Sequence, residues 1–580
     1  MEGFVTLYTT QIALQIKLRD ACKEANNKKW NDIIMAADMT KDTKTFWTSI
    51  NKMRGHNKQK TPYIKDQNGT KLHEENEQES AFKREWVKVF KISDEENEDF
   101  DSEHEERIEE EMGRQIHRIT PRQYIDYNLL PNNQIITMGE MMHCLRKFKE
   151  KAPGLTGITR NMIMNLPENI LNTLLNIYNA CLITGYFPDK LKYAKMIFIP
   201  KEGKDNKEIL NYRPISLLEI TGKLLEKILN SRLIAFLTQH GKTNNRQHGF
   251  MPNRNTLTAI AIITEIIAIE KSKGNQINII LRDVSKAFDK VGHLGLKYKI
   301  LKLGLNEYML RILCNYLDDR RAQIQIGNFL GTMFNLESGV PQGGCLSPTL
   351  YTIYTSDTPQ PTPFSEYVMF ADDITQIVSY PGKSTQFMAL YTVRAIKNIN
   401  DFEKKWKIRT NKNKFKIIPI AKIKTSPVIV DQELYPYDTE GRMLGLKLTK
   451  RGYITYLKDK ERQARIRLSK IKRFKNLSIN NKRKIYIALV KSIMDYPPIP
   501  LNTLSKTCIK RLQTVQNIAL RFIYNIKYTD HINNEQLHKR ANLLAINVDI
   551  HNKAVNIWKK VTELNTETYQ NWKNNIDRKK

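Results

Sequence analysis

The sequence predicts a mixed α+β chain, on three observations. Two β-prone runs, Tyr367–Phe370 and Ile374–Val378, flank the pair Asp372-Asp373, the pattern of a hairpin with acids at its turn. A third strand-like run, Ile277–Leu281, leads into another acid, Asp283. Elsewhere apolar residues recur at helical spacing, as in Phe46, Trp47, Ile50 and Met53, or in Leu512, Val515, Ala519 and Phe522.

In chain order, the first of those helices is expected to stop at Gly55. Tyr63–His73 reads as a hairpin around Asn68-Gly69, and Ala81–Phe90 as a helix. Asp94–Glu111 holds twelve acids against one base, Arg107, and reads as a flexible linker. Glycines 154 and 157 allow a tight turn within Lys151–Thr159. Helices are expected through Leu171–Thr184, and a strand over Tyr193–Pro200 with Lys201 and Lys204 just beyond. Leu257–Ile269 is the longest oily stretch, but it contains Thr264 and Glu265 and is too short to cross a bilayer, so it reads as a core helix. Gly339–Pro348 forms a glycine-rich loop that opens a helix; it lacks the Gly-Lys-Ser/Thr of a phosphate-binding P-loop. Leu457–Phe474 reads as a helix carrying Lys458, Lys460, Arg462, Arg465, Arg467, Lys470, Lys472 and Arg473.

With 580 residues and 41% hydrophobic content, the chain can build several cores. The net charge of +32 points to polyanionic partners. That charge is uneven: Arg451–Lys580 carries 28 bases and 9 acids, more than half of the excess. Six cysteines are scattered without Cys-x-x-Cys pairs, which argues against a zinc knuckle or a disulfide framework and suits a reducing, intracellular setting. No signal peptide is visible, and no membrane partner is expected.

Two carboxylates confined to one turn repel each other, and a hard cation between them removes that cost. Asp283 on a strand beside Asp372 and Asp373 on a hairpin could hold two Mg²⁺ ions about 3.5–4 Å apart for phosphoryl transfer. Mn²⁺ is an alternative. An ordinary surface turn is the competing reading, because Asp favours turns.

Seven ordered motifs weigh against that competing reading. Phe370-Ala-Asp-Asp373, the Asp283–Phe288 run and Gly339–Pro348 resemble the palm of a reverse transcriptase. Asn211–Leu218, Asn411–Phe415, Tyr354–Pro359 and Leu512–Ile523 make the chain similar to the polymerase part of LINE-type, non-LTR retrotransposons, nearest the jockey-like elements. The resemblance is most specific over Lys151–Leu448. It implies a right-hand polymerase with fingers, palm and thumb. The corresponding divisions are a helical connector with acidic linker (1–125), fingers (126–255), palm (256–450), thumb-like basic helices (451–526) and a C-terminal basic segment (527–580).

The resemblance also assigns roles. Asp283, Asp372 and Asp373 would be the catalytic, metal-holding acids. Arg213, with Lys201, would grip the incoming triphosphate, as a planar guanidinium suits phosphate oxygens. Phe288, five residues after Asp283, stands where related RNA polymerases place a polar residue; its ring would collide with a 2′-hydroxyl and select dNTPs. Gln342 would contact the templating pair, and Gly343 would let template and nucleotide approach the backbone closely. Lys414 would protonate the leaving pyrophosphate. Leu444 and Gly445 would contact the primer, and Arg462, Arg465 and Lys470 would bind nucleic-acid backbone.

Gln247–Asn255 resembles a further motif, carried by Gly249, Phe250 and Arg254. Arg282 departs from an apolar position, and Gly292 from a tryptophan. By strand alternation Arg282 should point away from the acids and need a partner charge. The expected partners are an RNA template, a DNA primer or target, dNTPs and a separate endonuclease. The expected setting is intracellular, in the nucleus at the point of DNA synthesis or else in the cytoplasm. The rival is a catalytically decayed retrotransposon remnant that only binds nucleic acid; a second is an RNA-dependent RNA polymerase.

Overall fold

The computed structural model describes residues 63–91, 100–123, 134–149, 152–420, 426–450, 454–474, 477–498, 506–527 and 529–564, with isolated positions between 17 and 25. The helix expected around Phe46–Met53 lies outside them. Contacts divide the chain into two units, one built on Thr61–Thr439 and the other on Glu440–Glu563.

The larger unit centres on a four-stranded antiparallel sheet. Its strands are β1 (Gln276–Asp283), β2 (Ser365–Phe370), β3 (Asp373–Tyr380) and β4 (Lys416–Ile420), in the order β4-β1-β3-β2. β1 is central, and every residue from Gln276 to Arg282 is buried, with Asp283 alone reaching the lip. Burial on both faces explains why β1 reads as an apolar run, interrupted only by Asn278 between Ile277 and Leu281, rather than an alternating one. Two helices, Thr256–Ser272 and Thr385–Lys405, pack on the sheet. The first is the oily stretch seen in the sequence, started by a reciprocal capping box between Asn255 and Thr258. Among the described residues no helix is long and apolar enough to cross a membrane.

A second sheet joins Ala194–Pro200 antiparallel to Tyr212–Leu218 and parallel to Arg321–Ile326. Helix Glu75–Phe90 packs on it through Phe82 and Trp86, whose rings meet Phe198 and Tyr212. The hairpin expected at Tyr63–His73 is present, pairing Ile64–Lys65 with Lys71–Leu72.

The acidic run expected as a linker, Asp94–Glu111, differs from that reading over its described part, while residues 94–99 lie outside the described residues. Ser102–Arg114 is a helix, capped by Asp101, whose side chain accepts a hydrogen bond from the His104 amide at 3.0 Å. Ile108 and Met112, four apart, are buried on one face. The acids meet cations distant in sequence: Glu105 pairs with Lys407 at 2.6 Å, and Glu111 pairs with Lys302. Local charge repulsion is thus offset by a basic neighbour far along the sequence.

Arg282 behaves as strand alternation requires. It turns away from the acids into a buried polar nest. Its Nε donates to Gln376 Oε1 at 3.0 Å, Nη1 to Asn400 at 2.9 Å and Glu403 at 3.3 Å, and Nη2 to the Ile396 carbonyl at 2.8 Å. One guanidinium therefore ties β1 to β3 and to helix Thr385–Lys405.

The smaller unit opens with a hairpin pairing Glu440–Met443 with Leu446–Thr449. Leu444 and Gly445 both have positive φ, +48° and +82°, as a two-residue type I′ turn demands. Tyr496 fixes this unusual leucine by donating its hydroxyl to the Leu444 carbonyl at 2.7 Å. Helices Ile454–Ile471, Ile479–Tyr486, Lys506–Ile523, Asn534–Ala541 and Ile546–Glu563 follow. Leu512, Val515 and Ala519 are buried as their spacing implies. Buried Gln516 donates to the Leu544 carbonyl at 3.0 Å, and Gln513 accepts from the Ile546 amide at 2.8 Å.

Breaking the Arg282 nest should be costly, because removing one partner strands buried polar groups. Arg282→Ala should destabilise the protein by about 3–5 kcal/mol, read by chemical denaturation. Pairing Arg282→Met with Glu403→Leu should recover part of that loss.

Candidate active site

The strand register builds the acidic cluster. In the β1–β3 ladder Asp283 lies opposite Asp373, and in the β2–β3 hairpin Asp373 lies opposite Phe370. Ala371 and Asp372 are then the turn. Ala371 sits at φ +56°, a left-handed conformation that an alanine enters only when neighbours hold it there.

Gln247 does the holding. Its Oε1 accepts hydrogen bonds from the Ala371 and Gly249 amides, both at 2.8 Å, and its Nε2 donates to the Ala371 carbonyl at 3.1 Å. The side chain is fully enclosed. Residues 246–248 run beside β2: the His248 amide donates to the Met369 carbonyl at 2.8 Å, and the Met369 amide to the Arg246 carbonyl at 2.9 Å. Gly249 can have no side chain here, since a Cβ would lie 2.2 Å from the Ala371 nitrogen. Arg254, read from the sequence as part of a functional motif, is structural: its Nη1 donates to the carbonyls of Asn244, Asn245 and Gln247.

The acids repel in this setting. Burial, followed by the Asp372 and Asp283 charges, pushes the Asp373 carboxyl up to about 7. Burial also raises Asp372, aided by Asp283 and opposed by its own backbone hydrogen bond and the charges of Lys414 and Arg213. Lys414 Nζ pairs with Asp283 Oδ2 at 2.7 Å. The approach is set by the backbone, because the Asn411 amide donates to the Asp283 carbonyl at 2.7 Å and starts the short turn Lys412–Lys414. Among the described residues no cluster of three acids, histidines or cysteines is already arranged as a metal cage. The three carboxylates nevertheless converge on one lip with oxygen donors alone, a set that suits a hard divalent cation.

Arg213 lies in the second sheet, paired with Ile199, and Lys201 follows directly on the end of strand Ala194–Pro200. Arg213 is exposed, and its charge reaches Asp372. Lys201 Nζ donates to the Leu210 carbonyl at 3.0 Å, and its pKa is lowered by burial and then by Arg213.

The glycine-rich loop joins these parts. The Val340 amide donates to the Phe288 carbonyl at 2.7 Å, and the Ser216 amide to the Gln342 carbonyl at 2.8 Å. Gly343, at φ +129°, lies so close to strand Tyr212–Leu218 that a Cβ would meet the Ser216 carbonyl at 2.6 Å. Gln342 donates through Nε2 to Asp289 Oδ1 at 2.8 Å, which orients its amide. Burial pushes the Asp289 carboxyl up to about 7, against the pull of Gln342, Lys286 and Lys201. Glu226, wholly buried, accepts from the Cys345 and Leu346 amides and from the Tyr316 hydroxyl, closing the loop onto helix Ile220–Gln239. Phe288 stacks on Tyr351 at 5.1 Å and meets Phe250 edge-on at 5.8 Å.

The structure therefore brings Asp283, Asp372, Asp373, Lys414 and Arg213 together, with Lys201, Phe288, Gln342 and Gly343 around them. Leu444, Gly445, Arg462, Arg465 and Lys470 lie in the Glu440–Glu563 unit. Arg462 and Lys470 are exposed, whereas Arg465 is paired through Nε with Glu461 at 2.9 Å. Sequence reasoning missed Gln247, Glu226 and Asp289. The available signal was an acid inside the apolar run Leu224–Leu229 for Glu226, and for Asp289 a second acid six residues beyond Asp283.

The Ala371 turn is predicted to loosen without its clamp. Gln247→Ala should cost about 1–3 kcal/mol by leaving buried backbone groups unpaired. Amide hydrogen exchange at Ala371 should quicken with it.

Residues 199–448 match the family model described as reverse transcriptase (RNA-dependent DNA polymerase). The chain is 28% identical over 418 residues to the probable RNA-directed DNA polymerase from transposon BS of Drosophila melanogaster, covering 69% of this chain and 46% of that protein. It is 28% identical over 409 residues to the RNA-directed DNA polymerase from mobile element jockey of Drosophila funebris, covering 67% and 44%. The chain thus spans less than half the length of these relatives. Apo telomerase from Candida tropicalis aligns over 70% of this chain and 72% of that one, at 12% identity and a TM-score of 0.36, too slight a likeness to argue from.

Proposed function

Residues 199–448 are a reverse transcriptase domain of the kind found in non-LTR retrotransposons, and from that premise we propose that the chain copies an RNA template into DNA from a primer 3′-hydroxyl. One observation carries this reading: Asp283 and Asp373 face each other across β1 and β3, Asp372 sits in the adjoining turn, and the charges of Arg213 and Lys414 reach the cluster. A phosphoryl-transfer site needs this combination, with anionic ligands for metal beside cations for phosphate.

Asp283, Asp372 and Asp373 would hold Mg²⁺, or Mn²⁺, in a two-ion site that neutralises the polyphosphate and lowers the barrier to attack by the 3′-hydroxyl. The other residues position and discriminate. Arg213, exposed at the edge of the second sheet, presents a bidentate fork to the triphosphate, with Lys201 behind it. Lys414 must leave Asp283 to reach the pyrophosphate, where its ammonium can donate a proton. Phe288 closes the position of a ribose 2′-hydroxyl. Gln342, oriented by Asp289, faces the templating pair, and Gly343 offers bare backbone. In the smaller unit, Leu444-Gly445 would contact the primer. Arg462 and Lys470, with Arg465 once released from Glu461, would bind phosphates without reading sequence. A nick in target DNA would supply the primer in the nucleus.

Primer extension on an RNA template tests the proposal. Incorporation of dNTPs is expected, and Asp372→Asn should reduce it by about 10³-fold or more. Tight RNA binding with no extension would instead identify a remnant that only binds nucleic acid, and a preference for ribonucleotides would identify an RNA polymerase.

The protonation of Asp373 gives a second test. Its carboxyl is raised from 3.8 to about 7 by burial and by its acidic neighbours. Metal must therefore displace a proton below pH 7, and Mn²⁺ affinity should weaken by about tenfold per pH unit there. The sign for stability is opposite. A raised carboxyl favours the folded, metal-free protein at low pH, and that advantage is lost as pH climbs from about 4 to 7. The thermal stabilisation on adding Mg²⁺ should accordingly grow across the same window.

A further inference from the structure

Phe250 is a costly residue to place where it is. Its ring is 47% exposed, and its backbone is left-handed at φ +58°, a conformation rare for a bulky side chain. Neither feature contributes to a core. Strained residues with exposed aromatic rings persist where the surroundings over-determine them, commonly at ligand sites.

The surroundings here are specific. Gly249, the preceding residue, is pressed on the backbone of the catalytic turn and held by Gln247, which also holds Ala371. On the other side, the Arg254 amide donates to the Met251 carbonyl at 3.3 Å, and the Arg254 side chain donates to the Gln247 carbonyl at 2.7 Å. The ring is therefore carried by a short turn locked to the acids. It meets Phe288 at 5.8 Å with the two planes 89° apart, while the flat face of Phe288 is backed by Tyr351 at 5.1 Å.

We infer that Phe250 is the second wall of the sugar site: with Phe288 it forms a right-angled hydrocarbon corner that receives C2′ of the incoming deoxynucleotide. This rests on the reading of Phe288 as the sugar-selecting residue. Phe288 alone offers one surface, which a ribose could evade by sliding sideways. A second ring at right angles blocks that escape. The corner also removes water from a 2′-hydroxyl without offering an oxygen or nitrogen in return, so rejection combines collision with the loss of a hydrogen bond. Because Gln247 grips both turns, the corner keeps a fixed distance from Asp372, and a sugar seated in it is registered to the acids.

The test compares rNTP with dNTP efficiency (kcat/KM) on an RNA template for the parent, Phe250→Ala, Phe250→Tyr, Phe288→Ala and the double alanine variant. Phe250→Ala should raise the rNTP:dNTP ratio by about tenfold, mostly through a lower KM for rNTPs, and Phe250→Tyr should keep the parent ratio. The two alanine effects should be less than additive in the double variant, since each removes a wall of one corner. If Phe288→Ala relaxes discrimination and Phe250→Ala does not, the second wall is refuted and the first survives. If Phe288→Ala leaves the ratio unchanged, the sugar-selection reading itself fails. Equal losses with both nucleotides and a lowered melting temperature in Phe250→Ala would assign the ring to folding. Phe250→Leu, which keeps apolar bulk without the aromatic wall, then decides the matter: an unchanged ratio in a stable protein overturns the inference.

Discussion

Three carboxylates held within one turn and one strand end are the constraint around which the larger unit is organised. Like charges brought together away from bulk water cost free energy, and the protein meets that cost in several ways. Asp373 keeps its proton to about pH 7. Lys414 sits on Asp283. The strand bearing Asp283 is buried along its length, so the acid cannot retreat without unmaking the centre of the sheet. Immediately behind it, Arg282 is anchored to Glu403, Asn400, Gln376 and a helix carbonyl. Adjacent residues on β1 thus have opposite tasks, one presenting charge to the cleft and the other bolting the strand from the rear.

The loop and strand around the acids are fastened to the same frame. The glycine-rich loop is stitched to the Phe288 segment on one side and to strand Tyr212–Leu218 on the other, and Glu226 gathers its last amides. Gln342, on the loop, and Arg213, on the second sheet, are consequently held relative to the acids by backbone contacts rather than by long side chains. Rigid placement of this kind is what a positioning mechanism requires, since small displacements of the reacting groups are expensive.

Much of this was legible in the sequence because it follows from short-range rules. A two-residue period predicts that Arg282 and Asp283 face opposite ways, and β-prone runs around Asp372-Asp373 predict a hairpin. What escaped depends on contacts between distant segments. Nothing local marks Gln247 as the clamp on Ala371, 124 residues away. The acidic run misled for a related reason. Its composition suggests a solvated linker, yet Ile108 and Met112 stand four apart, and Lys302 and Lys407 supply the missing positive charge from elsewhere. Composition describes a segment's average environment; a helix requires only one suitable face and a cap.

Charge is also divided between the units in a way that bears on binding. In the larger unit, the acidic helix Ser102–Arg114 engages Lys302 and Lys407 in ion pairs. In the smaller unit the excess of bases is far greater, and helix Ile454–Ile471 exposes Lys458, Arg462 and Lys470 along one side. The interior pairs of that unit, Lys491 and Lys553 with Asp495 and Asp549, are spent on joining its helices. A surface built this way attracts phosphate by counterion release, which falls steeply with salt and ignores base sequence. On the proposed function, such a surface would hold a template without reading it and would leave selectivity to the cleft where the acids are. Affinity and discrimination would then be carried by different parts of the chain, each on the physics that suits it.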